Sequence, residues 1–217
     1  MDTPITKEEA AYQAIRGAII RGELQPGQAV TIRDLAAKFD LGRTPITDDM
    51  KHLALDGWLE STTGVGTRVA NLDLCDRYAY MQVRGAVEAL SVRLCAKSAG
   101  PEDLLALEHC LAVAKLAIDS GNLVRAIEAD IDFHRLCAKC SGNRFLYQIY
   151  DRMLSQDELV FFRNVSDVDI RVQSHRQHAA IVEAIRSGDP DLAEEASRCH
   201  TRTILERLRT EQVQDRR

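Results

Sequence analysis

From Leu72 to the C-terminus, apolar residues recur at helical spacing and no β-like alternation interrupts them. The breaks fall at Gly100-Pro101, Gly121-Asn122, Gly142-Asn143, around Ser166-Asp167 and at Gly188-Asp189-Pro190. These are residue types that stop one helix and cap or start the next. The pattern predicts six helices, roughly 74–98, 101–119, 123–140, 144–164, 168–187 and 190–211. Helices of this length joined by connections this short must run antiparallel, so residues 72–217 are expected to form a helical bundle with any ligand site in its core.

Residues 1–71 read differently. Thr6 with Glu9 three residues on forms a capping-box pattern, and Tyr12, Ile15, Ile19 and Ile20 continue a helix that Gly22 stops. Leu24-Gln25-Pro26-Gly27 makes a turn. Thr31 with Asp34 opens a short helix whose apolar face is Ile32, Leu35, Ala36 and Phe39. After Asp40-Leu41-Gly42, Thr44 is expected to cap a third helix with Pro45 at its first position and Ile46, Met50, Leu53 and Ala54 buried. Residues 58–62 and 67–69, around Thr63-Gly64-Val65-Gly66, read as a hairpin. Three helices and a hairpin make a winged helix-turn-helix, in which the third helix enters a DNA major groove while the second braces it. The chain as a whole is therefore expected to be mainly α.

Composition narrows the function classes. With 45% hydrophobic and 28% charged residues the chain is ordinary for a globular protein. Its apolar runs are far too short to span a bilayer, and Met1-Asp2-Thr3-Pro4-Ile5-Thr6 offers no secretory signal, so a cytoplasmic location without a membrane partner is expected. The six cysteines lie in helical segments of a chain too large to need staples and are read as free thiols, including Cys137 and Cys140 of the single C-x-x-C. Charge opposes the DNA-binding reading: residues 1–70 carry eight basic and ten acidic side chains, so only the placement of the basic residues can favour DNA.

Residues Tyr12 to Val69 resemble the DNA-binding domain of the GntR family. The stretches that carry the likeness are Ile20-Arg21-Gly22-Glu23-Leu24-Gln25-Pro26-Gly27, Arg43-Thr44-Pro45-Ile46, Leu53-Ala54-Leu55-Asp56-Gly57-Trp58-Leu59 and Gly64-Val65-Gly66-Thr67-Arg68-Val69. The helices that follow resemble the FCD effector domain of the FadR-like subfamily, in its six-helix, metal-binding version. The resemblance implies a ligand-responsive transcription regulator, not an enzyme. It implies DNA contacts from Arg33, Arg43, Thr44 and Gly64, with Thr47 standing where relatives commonly place a groove-reading Arg. This chain departs from the family at Gly42, usually Ser or Thr, and at Thr47-Asp48-Asp49, commonly Arg-Glu-Ala. Two adjacent carboxylates there would repel phosphates, unless they cap the helix or pair with Lys51 or His52.

Asp130 and His134 are four apart on one predicted helix, which stacks them on one face, while His178 and His200 lie on the next-to-last and last helices. Three imidazoles and a carboxylate from three helices suit a divalent transition metal, zinc or nickel, at one ion per chain. The same four residues fall on the metal-ligand positions that the FCD resemblance implies. His52, His109 and His175 have no comparable partners and are read as structural or solvent-facing. The resemblance also implies that Arg84 pairs with an effector carboxylate; the alternative is an ion pair with Glu88 one turn on. The expected partners are operator DNA, a small carboxylate effector at the metal and a second copy of the chain, since helix-turn-helix proteins commonly read two-fold sites. The alternatives are a sensor for which the ion is itself the signal and a metal-dependent hydrolase.

Overall fold

The structure is a computed structural model and describes residues 7–62, 64, 66–71, 74–161 and 168–215. The chain divides into two compact units, Met1–Asn71 and Leu72–Arg217. It is mainly α: among the described residues there are nine helices and one small sheet.

In the first unit α1 (Lys7–Ile20) buries Ala11, Ile15, Ala18 and Ile19, the spacing of a single helical face. It ends where Gly22 takes φ +72° and the Glu23 N–H reaches the Ala18 carbonyl at 2.8 Å, a Schellman closure. The expected start signal at Thr6 lies outside the described residues. Two residues form β1 (Ala29–Val30), a strand too short to show in the sequence pattern. It exists because Gly27, at φ +74°, turns its N–H onto the Val69 carbonyl at 2.9 Å while the Val69 N–H returns to Gln28. The wing is therefore a three-stranded antiparallel sheet in the order β1-β3-β2, with β2 (Leu59–Thr62) and β3 (Gly66–Val69) pairing Leu59 with Val69 and Thr62 with Gly66.

Thr31 caps α2 (Ile32–Phe39), accepting from the Asp34 N–H at 3.1 Å, as its sequence predicts. The start of α3 (Arg43–Leu55) differs from expectation. Gly42, not Thr44, is its N-cap, with no side-chain cap, and Pro45 sits in the third helical position. The first helical turn tolerates this because its N–H groups lack intrahelical partners in any case, so the missing donor of Pro45 costs nothing. Ile46, Met50 and Leu53 are buried, and Trp58 is fully enclosed beneath them, with the Arg16 guanidinium 5.6 Å from its ring centroid.

The second unit is a bundle of six helices: α4 (Leu74–Ser98), α5 (Pro101–Asp119), α6 (Leu123–Cys140), α7 (Arg144–Phe161), α8 (Val168–Arg186) and α9 (Pro190–Asp215). The predicted punctuation does the capping. Asn122 accepts from the Arg125 N–H, Asn143 from Phe145 and Leu146, and Asp189 from Asp191 and Leu192. The expected break at Ser166-Asp167 lies outside the described residues, and α9 runs a turn beyond its predicted end. One core cluster joins Val92, Leu107, Phe133, Ile181 and Ile185, and a second joins Ile127, Ile131, Tyr150 and Leu154. Gly85 of α4 lies close against Thr201 of α9, where a Cβ on Gly85 would overlap the Thr201 methyl. This contact seats Arg84 and His200 beside each other.

Gly85→Ala is therefore expected to force α4 and α9 apart and to destabilise the bundle by about 1–3 kcal/mol, the usual cost of overpacking. Chemical denaturation checks this; a stability equal to or above wild type contradicts the close approach.

Candidate functional site

The first unit places Arg33, Arg43, Thr44 and Gly64 on its exposed surface, Gly64 at φ +79° in the wing. Thr47 is half-buried, donates its hydroxyl to the Arg43 carbonyl at 2.7 Å and lines a shallow pocket with Lys51, Ser61 and Thr67 between α3 and the wing. Its hydroxyl keeps accepting capacity only. The acidic pair does not stand as two adjacent exposed charges. Asp48 is exposed and paired with Lys51 at 2.8 Å, whereas Asp49 is 5% exposed and accepts the Tyr12 backbone N–H at 2.8 Å, with His52 at 3.8 Å. Asp49 thus ties α3 to α1 and presents no charge to a ligand. Across the same pair of helices Tyr12 donates its hydroxyl to Asp56 at 2.7 Å.

In the second unit α6, α8 and α9 bring His134, His178 and His200 together. All three are buried, and each offers one ring nitrogen such that these atoms lie within 4.8 Å of one another. The His178 and His200 Nε2 atoms are 3.2 Å apart. Asp130 stands at the edge of this group, its Oδ1 3.3 Å from His178 Nδ1 and its Oδ2 3.9 Å from His134 Nε2, and it also lines the adjoining cavity. Phe133 stacks on His178 with centroids 4.6 Å apart, which holds that ring from the core side. His175 bonds the Leu111 carbonyl, and His52 and His109 are exposed, so none of the three joins the cluster.

Burial governs the charge of these groups. It pushes the His134 and His200 pKa values well below the ordinary imidazole value, with Arg84 and His178 respectively adding the next largest repulsion. For His178, burial and then Arg84 lower the value to about 3. All three rings are neutral at physiological pH, the form in which imidazole ligates metals. Gln177 settles one tautomer. Its amide nitrogen donates to Thr203 Oγ1 at 2.8 Å, so its carbonyl faces His200 Nδ1 at 2.9 Å and accepts the proton there, leaving the Nε2 lone pair directed at the cluster. Among the described residues His134 has no hydrogen-bond partner at either ring nitrogen. A buried neutral imidazole with both nitrogens unsatisfied is costly, and an ion at the unprotonated one removes the part of that cost that falls on its lone pair. The donor set therefore fits a borderline transition metal.

Behind the imidazoles lies Glu88, fully buried, with Oε1 3.7 Å from His134 Nδ1. Tyr150 and Ser197 donate hydroxyls to it at 3.0 and 3.2 Å, and Arg84 Nη2 is 3.4 Å away. Burial raises the Glu88 pKa, and Arg84 opposes the rise most strongly. Arg84 so makes the intrahelical pair and at the same time lines the cavity with Asp130 and His200. That cavity has a volume of about 200 Å³, below the roughly 300 Å³ at which drug-sized pockets begin. Sequence reasoning missed Gln177, whose position beside His178 gives no sign of its bond to His200. It also missed the arginines Arg77, Arg171 and Arg207 of the cavity wall. The C-x-x-C thiols form no comparable site: Cys140 donates to the Cys95 carbonyl, and neighbouring thiols together with burial raise the pKa values of Cys95 and Cys140.

A helix-turn-helix with a β wing, joined to an all-helical unit with an internal cavity, defines a two-part DNA-binding regulator. Residues 7–69 match the description "Bacterial regulatory proteins, gntR family" and residues 79–203 match the FCD domain, so the chain belongs to the GntR family of transcription regulators, with an FCD domain as its second unit. Among curated proteins it is 29% identical to a probable D-xylose utilization operon transcriptional repressor of Paenarthrobacter nicotinovorans, over 86% of this chain and 82% of that protein. It is 27% identical to the HTH-type transcriptional repressor NanR of Enterobacter sp. (strain 638), over 92% and 82%. The fold is that of E. coli McbR/YncC (TM-score 0.79, 15% identity, 95% of this chain and 99% of that one) and of a GntR regulator from Rhodococcus sp. RHA1 (0.77, 18%, 94% and 97%). The families and relatives are regulators, not enzymes. Among the described residues no helix is long and apolar enough to cross a membrane.

The histidine cluster sets a pH dependence. In the unfolded chain imidazoles titrate near pH 6.5, whereas the folded ones stay neutral far lower, so below that pH the unfolded state binds more protons. Stability from this source is complete above about pH 6.5 and is lost as pH falls. Metal-free protein is expected to melt at progressively lower temperature from about pH 7 to about pH 5, more steeply than a His178→Gln variant. Parallel slopes contradict the neutral buried cluster.

Proposed function

We propose that the operator affinity of this regulator is set by a small organic acid bound beside a transition metal in the helical unit. His134, His178 and His200 hold the metal, with Asp130 as the carboxylate ligand, at one zinc or nickel ion per chain. A bound ion of this kind supplies an open coordination position to a carboxylate oxygen. Arg84, already beside Glu88, orients the acid by a charge-assisted hydrogen bond. One observation carries the reading: neutral, buried imidazoles adjoin a 200 Å³ cavity that Arg84, Asp130 and His200 all line. A sensor of the ion alone would need no such space, which favours the acid as signal.

Arg33, Arg43, Thr44 and the wing at Gly64 contact the operator, with Thr47 in a minor role because its proton is committed to the Arg43 carbonyl. The protein acts in the cytoplasm as a homodimer through α4 and α7. Val83 and Leu90 are seven apart on α4, Phe145 and Ile149 four apart on α7, and these side chains are 45–63% exposed on two helices that pack together. The acid changes DNA affinity by binding two dimer arrangements unequally.

Metal analysis with retardation of DNA from the protein's own promoter region tests the site. Wild type is expected to carry about one ion per chain, His178→Ala to lose it, and chelation or added acid to change retardation of wild type alone. Full metal content in His178→Ala would refute the assignment. For the dimer, Val83→Glu and Ile149→Glu are expected to yield monomers by light scattering and to lower operator affinity at least tenfold, about 1.4 kcal/mol; variants that remain dimeric would exclude this face.

A further inference from the structure

The cavity has two chemically different ends. Three pairs of lining or cluster residues, Arg77 and Arg84 on α4, Arg171 and His178 on α8, and His200 and Arg207 on α9, are each seven residues apart. Two helical turns separate each pair by about 10 Å along nearly one face. The helices run so that Arg84, His178 and His200 meet at the inner end with Asp130. At the outer end Glu211 receives the Arg207 Nε–H at 3.1 Å and lies 3.7 Å from Arg77 Nη1. Arg171, buried on α8 two turns from His178, adds a third guanidinium towards the outer end. The described lining holds four arginines and two carboxylates, and Ile170, Ile204 and Leu208 supply the apolar wall.

We propose that this outer end is a second anion subsite, formed by Arg77 and Arg207, and that the effector therefore carries two anionic groups, as a dicarboxylate or a phosphorylated acid does. The inference rests on the reading that an acid binds at the inner, metal-proximal end. Glu211 shows the chemistry. One carboxylate already occupies the position between two guanidiniums; Arg77 is only 8% exposed, which strengthens its side of the pairing, while Arg207 is 42% exposed at the mouth. The effector's distal group takes over that role, and the Glu211 side chain, 27% exposed at the rim, turns outward to solvent. The apolar wall between the ends suits a short carbon chain, and the volume excludes anything much larger.

Calorimetric titration of the zinc-loaded full-length protein tests this, with succinate, glutarate and adipate set against monocarboxylates of matching length, and phosphoglycolate against glycolate. At least one acid with two anionic groups is expected to bind roughly ten- to a hundredfold tighter than its counterpart with one, the fold-change of one charge-assisted hydrogen bond. Arg77→Gln and Arg207→Gln should bring that ratio toward one. Glu211→Gln, which removes the competing carboxylate, should raise it. A preference confined to the dicarboxylates or to phosphoglycolate identifies the distal group. Acids with one anionic group binding as tightly as those with two in wild type, or Glu211→Gln lowering the ratio, would overturn the second subsite and leave the acid-binding reading intact. Absence of binding by every acid would overturn both.

Discussion

The second unit is organised by the burial of three uncharged imidazoles where α6, α8 and α9 meet. An imidazolium in that position would lose its hydration and face Arg84, so the rings stay neutral, and neutral rings each bring a lone pair that needs a partner. The surrounding structure orients the rings of His178 and His200 but does not satisfy His134. Gln177 takes the His200 Nδ1 proton, Asp130 flanks His178, and Phe133 stacks on its ring. Among the described residues His134 has no hydrogen-bond partner at either nitrogen. The packing of α4 on α9 at Gly85 then decides how near Arg84 comes to the cluster, and with it where the cavity opens. Core geometry and site chemistry are one problem here.

The first unit solves a different problem, that of presenting a short helix from a small core. Trp58, Ile15, Ile46 and Leu53 are almost entirely enclosed, and Asp49 spends its charge on the Tyr12 backbone. This placement relieves the conflict set by an acidic N-terminal segment. Asp49 is withdrawn from the surface, Asp48 is paired with Lys51, and Arg33 and Arg43 remain exposed. A net charge counted along the chain is a poor guide to the field that a polyanion meets, because burial and pairing remove charges selectively.

Helix boundaries set by local chemistry were legible in the sequence: the Asn122, Asn143 and Asp189 caps act within three residues of themselves. The grouping of His134, His178 and His200 was legible from three imidazoles and a carboxylate on inward-facing helices together with the resemblance to FCD domains, spacing alone fixing only Asp130 beside His134. What depended on distant partners was not. The strand β1 exists only because Gly27 and Gln28 bond to Val69, and Asp49 is buried only because α1 crosses it. The start of α3 at Arg43 was missed because Thr44-Pro45 carries a stronger capping signal than Gly42. Arginines at 77, 171 and 207 look like any surface arginines on a helix until three helices are placed around one cavity.

The central claim is that the imidazole cluster, and not the thiols of Cys95, Cys137 and Cys140, is the metal centre. X-ray absorption at the zinc edge of the loaded full-length protein tests it most directly. The account predicts a first shell of nitrogen and oxygen only, at about 2.0–2.2 Å, with outer-shell scattering from three imidazoles. A sulfur shell near about 2.3 Å, or scattering from a single imidazole, would contradict it.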